Sequence, residues 1–175
     1  MSFNNPIVTR WRKEEEKKYM QSLSKYVLKN ASTINQIKHI SKSHSNGYVV
    51  YAISTDTVGC DIEKIRWDLT REDLKKQLNF YLDINEQEKV INSPYPQKSA
   101  IKAWTRKESY FKVHQTFNIP KVYDIISSDD VVSDGRMKFV SLAVDEDMIL
   151  TCYTDQETDV EWVRINDLDK KTEIE

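Results

Sequence analysis

The stretch from Ala100 to Lys112 reads Ala-Ile-Lys-Ala-Trp-Thr-Arg-Lys-Glu-Ser-Tyr-Phe-Lys. It holds no glycine or proline and follows a break at Ser93-Pro94-Tyr95-Pro96, so it predicts a helix, over 97–116, with Pro96 at or just before its first turn. Residues three and four apart share a helix face. Trp104, Glu108 and Lys112 therefore stand in one row, with Ala100 behind and Phe111 beside them. That stripe is the side expected to face a core, with Trp104 as its anchor. It also carries a carboxylate and an ammonium, and charges are seldom buried without partners or a task. Whatever fold the chain adopts has to give Glu108 something to face.

The other segments supply the layers. Residues 1–10 read as a loose lead-in and 11–29 as an amphipathic helix. A short strand is expected at 37–40, and the small polar run 41–47, ending in Asn46-Gly47, as a turn. Residues 48–54 are β-branched and aromatic and predict a strand; 57–63 predict another, the two forming a hairpin across Thr55-Asp56. Thr70 caps a helix and 85–91 form a second short one. Strands follow at 122–126, 136–144, 148–154 and 160–165, with turns at Ser133-Asp134-Gly135 and Asp145-Glu146-Asp147. Helices and strands that come in blocks imply an α+β fold, an antiparallel sheet packed on a long core helix. We divide the chain into a reduced N-terminal lobe (1–54), a main domain (55–168) and a tail (169–175).

Composition excludes several functions. A net charge of −2 argues against nonspecific nucleic-acid binding. Three glycines, Gly47, Gly59 and Gly135, leave no glycine-rich phosphate loop. Cys60 and Cys152 lie far apart in sequence without a ligand pattern, which implies two reduced, buried thiols. No apolar run approaches a membrane span and the N-terminus lacks a signal core, so no membrane partner and a cytoplasmic location are expected.

Alternation along 58–63 sends Val58, Cys60 and Ile62 to one face, and Gly59, Asp61 and Glu63 to the other. Two carboxylates at that spacing repel, and a cation between them would relieve it. Glu108 is a third carboxylate, with Arg106, Lys107 and Lys112 close in sequence. Ser43, His44 and Ser45 precede the strand before Asp61. Such a set suits a hard divalent cation and phosphate chemistry. Each part alone has a plainer explanation: a solvated sheet face for Asp61 and Glu63, an i,i+4 pair for Glu108 and Lys112, a turn histidine for His44.

Val-Gly-Cys-Asp-Ile-Glu-Lys at 58–64 resembles the (V/I)-G-(I/V)-D-(I/L/V)-E signature of 4′-phosphopantetheinyl transferases. Trp104 to Lys112 is similar to the W-x-x-K-E-(A/S)-x-x-K signature of that family, in the family's order. Ser43-His44-Ser45 resembles the S-H-(S/T) element of its surfactin-synthetase-activating branch. The resemblance implies a pseudo-dimeric fold, here with a reduced N-terminal half. It further implies Mg²⁺ held by Asp61, Glu63 and Glu108 on the pyrophosphate of coenzyme A. Glu108 would help deprotonate the serine of an apo acyl or peptidyl carrier protein. Lys112 would stabilise the phosphate under attack, and Ser43, His44 and Lys107 would contact the coenzyme. The product would be the phosphopantetheinylated carrier, with 3′,5′-ADP leaving. The alternative is a weak or inactive member that binds a carrier protein or synthase without transfer.

Overall fold

Asn46 and Gly47 both adopt positive φ, 48° and 81°. A two-residue loop of that kind matches the twist of the strands it joins, and it closes a hairpin between β2 (His39–Ser45) and β3 (Tyr48–Ser54). The computed structural model describes residues 7–10, 37–120, 124–127, 131–133, 136–155 and 163–165. The expected helix at 11–29 and the tail at 169–175 lie outside these.

The hairpin corrects two expectations. Residues 41–45 are strand, because their side chains alternate: Ser41 and Ser43 are buried while Lys42 and His44 are exposed. Composition suggested a turn, and period-two burial overrides it. The strand β4 (Val58–Lys64) also does not pair with β3. It joins a second sheet, because Asn46-Gly47 is the stronger hairpin turn and β3 already has partners on both edges.

One four-stranded sheet runs β2-β3-β1-β8, where β1 is Ile7–Arg10 and β8 is Val163–Ile165. Residues 7–10 are thus a strand, antiparallel to β3 and parallel to β8. The fold is mixed α and β with a mixed first sheet. The other sheet is wholly antiparallel, in the order β4-β7-β6-β5, with β5 at Val131–Ser133, β6 at Arg136–Val144 and β7 at Met148–Thr154. Within 122–126, the described residues 124–126 form a turn instead of a strand.

Three helices are described: α1 (Arg71–Leu78), α2 (Ile84–Ile91) and α3 (Pro96–His114). Thr70 caps α1 by accepting from the Asp73 amide, and Asp83 caps α2 in a reciprocal box with Glu86. α3 lies against β4 and β7. Its apolar contacts include Ala103 and Tyr110, packed with Leu78, Phe139 and Tyr153. A second apolar cluster, Val50, Ala52, Cys60, Ile62, Leu150 and Cys152 among it, separates the two sheets. Cys60 and Cys152 face each other across β4 and β7, both buried. Burial pushes the Cys60 thiol up to about 11 and the Cys152 thiol well above its usual value, so both are inert at neutral pH. β4 is thereby sorted as its alternation predicts: Cys60 and Ile62 into the inter-sheet core, Gly59 and Asp61 toward α3.

Candidate active site

Gly59 sets the distance between α3 and β4. A Cβ there would lie 1.9 Å from the Ser109 carbonyl oxygen, so the helix backbone rests directly on the strand. Only glycine permits this approach. Hydrogen bonds then fix the helix's rotation. Thr105 Oγ1 meets Thr151 Oγ1 at 2.8 Å, and Thr151 Oγ1 meets Ser141 Oγ at 3.0 Å. Arg106, fully buried, donates from Nε to Ser141 Oγ and from Nη1 to the carbonyls of Ile125 and Ser127, both at 3.0 Å.

This reverses one expectation. The face of α3 on the sheet is Ala103, Thr105, Arg106, Ser109 and Tyr110, while Trp104, Glu108 and Lys112 are half-buried along the rim. Hydrophobicity placed Trp104 inward, but the polar residues are buried instead because the sheet meets their hydrogen bonds. Trp104 packs edge-on to Tyr81, with centroids 5.0 Å apart, and stacks on Phe117. Arg106, grouped in sequence with the site's cations, belongs to the structural side.

Along that rim Lys112 reaches β4. Its Nζ donates to the Cys60 carbonyl at 2.7 Å and to Asp61 Oδ1 at 2.9 Å. Ser43 Oγ donates to the same Oδ1 at 2.7 Å. Asp61 is only 4% exposed, and its Oδ2 is buried with no hydrogen-bond partner. Ser45 Oγ donates to Glu63 Oε2 at 2.8 Å. Burial raises the Asp61 carboxyl above its usual range, although Lys112 and Ser43 pull it down. Glu63 is raised by burial, Ser45 opposing and the Asp61 charge adding to the rise. Glu108 is raised by burial and then by Asp61, with Lys112 opposing and Glu63 adding. The three carboxylates are thus electrostatic neighbours.

Three acidic groups raised by burial, the Asp61 charge adding to the rise at the other two, all oxygen donors, with a buried orphan oxygen on one, suit a hard cation such as Mg²⁺. Among the described residues no three Asp, Glu, His or Cys side chains already converge as a metal cage.

Two other sequence candidates sit elsewhere. His44 is exposed on β2, on the strand face opposite Ser43. Lys107 is buried and lies 3.7 Å from Glu86 Oε2. It lines a pocket of about 300 Å³ closed by Phe117, Ile119 and Ile125, and it is not among the charges that shift Asp61, Glu63 or Glu108. A larger hollow, about 570 Å³, opens beside Glu63 and Ser45 and is walled by Tyr81, Ile101 and Trp104. Sequence reasoning missed Ser45 as the donor to Glu63, and missed why position 59 is glycine. The signal for the first was present: serines at 41, 43 and 45 share a strand's period of two.

Residues 57–140 match the sequence profile of the 4′-phosphopantetheinyl transferase superfamily, a span that contains Asp61, Glu63, Lys107, Glu108 and Lys112. No curated protein matches the chain. Among the described residues no helix is long and apolar enough to cross a membrane.

Proposed function

We propose that the protein transfers 4′-phosphopantetheine from coenzyme A to a serine of an apo acyl or peptidyl carrier protein. One observation carries this reading. Asp61 on β4 is buried beside Glu108 and Lys112 of α3 with one carboxylate oxygen unmet. The superfamily match over the same residues supports it. Ser43-His44-Ser45 supports the surfactin-synthetase-activating branch.

In this account Asp61, Glu63 and Glu108 would hold Mg²⁺, which neutralises the coenzyme's pyrophosphate when bound. Glu108, directly or through a water, takes the proton of the carrier serine. Burial and two neighbouring carboxylates keep its carboxyl above the ordinary range, which makes it a stronger base. The serine oxygen attacks the β-phosphorus as the bond to 3′,5′-ADP breaks. Lys112 spends two N–H groups on Cys60 and Asp61, and its third can donate to a phosphoryl oxygen. Ser43 lies on the strand beside the carboxylates, where coenzyme phosphates would pass; His44 would meet the coenzyme from the opposite, exposed face of that strand, and Lys107 would act from its own pocket.

The test mixes the protein with coenzyme A, Mg²⁺ and a panel of apo carriers from fatty-acid, polyketide and peptide synthesis. The expected result is a carrier heavier by one phosphopantetheine. No mass change with any carrier would overturn the proposal. Carrier binding without coenzyme A binding, measured by calorimetry, would establish the non-transferring alternative instead.

A further inference from the structure

Three serines of β2 point one way and meet β4, although the two strands are not paired in either sheet. Ser41 Oγ accepts the Cys60 amide at 3.0 Å. Ser43 Oγ accepts the Ile62 amide at 3.3 Å, which leaves its proton for Asp61. Ser45 Oγ donates to Glu63 Oε2. The row replaces a backbone ladder with side-chain bonds, and its last two members end on carboxylates.

The distribution of those bonds is uneven. Asp61 Oδ1 receives both Ser43 and Lys112, while Oδ2 receives nothing. Glu63 is bonded through Oε2. Asp61 thus has one oxygen tied toward the protein and the other without a partner, and Ser45 ties Glu63 through one oxygen. A carboxylate so held can ligate a metal through one oxygen and resists turning both toward it. Mg²⁺ binds single oxygens in a tight octahedron, whereas Ca²⁺ accepts more ligands and often takes both oxygens of one carboxylate. Partners that orient a ligand in this way typically change metal affinity ten- to a hundredfold when removed.

We infer that Ser43 and Ser45 are positioning residues that fix Asp61 and Glu63 as one-oxygen ligands and so select a small octahedral cation over calcium. The inference rests on the metal-binding reading above. Ser45 is the site to test, because Ser43 also supports the Ile62 amide and its loss would disturb β4 itself.

The experiment reads protein-bound Mn²⁺ by electron paramagnetic resonance, with and without saturating coenzyme A, and displaces it with Mg²⁺ or Ca²⁺. In the wild type, Mg²⁺ displaces Mn²⁺ at lower concentration than Ca²⁺ does. Ser45→Ala shifts that preference toward Ca²⁺ by about tenfold. Ser45→Thr, which keeps the hydroxyl, restores it. Ser45→Ala with bound Mn²⁺ and an unchanged preference overturns this inference alone. A wild type that binds no Mn²⁺ in either condition overturns the metal-binding reading with it.

Discussion

Helix α3 buries charge on two sides, and the two sides are finished differently. On the sheet side Arg106 is fully buried, and its guanidinium donates to Ser141 and to two loop carbonyls. On the rim Asp61 is nearly as buried, yet one of its oxygens has no partner, and burial together with the Asp61 charge holds the Glu63 and Glu108 carboxyls high. Both arrangements involve desolvation that is costly unless answered. Around Arg106 the protein answers it with its own atoms. At Asp61 it does not, and a ligand from outside would. Burial alone therefore does not mark a functional residue; burial left incomplete does.

If that contrast is right, a variant on the open side should damage the reaction and spare the fold. Glu108→Gln should cut transfer by about 10²–10⁴, the usual worth of a general base, with a melting temperature unchanged or higher, since the charge it removes is held unfavourably. Carrier mass spectrometry and a thermal melt read the two halves. Full-rate transfer would break the contrast at once. Arg106→Met should do the reverse. It strands the Ile125 and Ser127 carbonyls, at a cost of about 3 kcal/mol in a urea melt; a loss below about 1 kcal/mol would show that the closed side is not structural.

Gly59→Ala joins the sides. The new methyl group meets the Ser109 carbonyl, so α3 must move off β4, with about 2 kcal/mol lost by the same melt and transfer reduced along with it. Stability at wild-type level would mean the helix is not pinned there. The smallest effect belongs to Asp155, beyond the C-terminal end of α3. Burial raises its carboxyl, but Thr57, Tyr153 and His114 outweigh this and leave it below its usual 3.8. A lowered carboxyl stabilises the fold above the unfolded value, and that stability is lost as pH falls through the folded one. Asp155→Asn should therefore cost about 1 kcal/mol at pH 7 and progressively less as the pH drops below 3.8. A deficit that is constant with pH would contradict it.

Much of this was legible in the chain. The alternation of 58–63 sorted β4 correctly, and the Thr70 cap was readable from one residue and its follower. The rotation of α3 was not. An apolar stripe with Trp104 points inward on hydrophobicity alone, and only the hydroxyls of Thr151 and Ser141 on β7 and β6 explain why Thr105 and Arg106 take that place. Those partners lie 46 and 35 residues away in sequence. Strand pairing failed for the same reason: β4 finds β7 across the whole helical region, and no local turn signal records it. Lys107 shared a motif with Glu108 yet turned to Glu86, because adjacent helix positions face different ways.

The central claim is that the unfinished side of α3 is where the chemistry occurs. Crystals grown with Mn²⁺ and coenzyme A, measured at the manganese edge, test it in one map. We predict an anomalous peak at Asp61 Oδ2, shared with Glu63 and Glu108, with the coenzyme's pyrophosphate against it. A peak in the Lys107 pocket, or no peak beside Asp61 while the coenzyme is bound, would contradict the account.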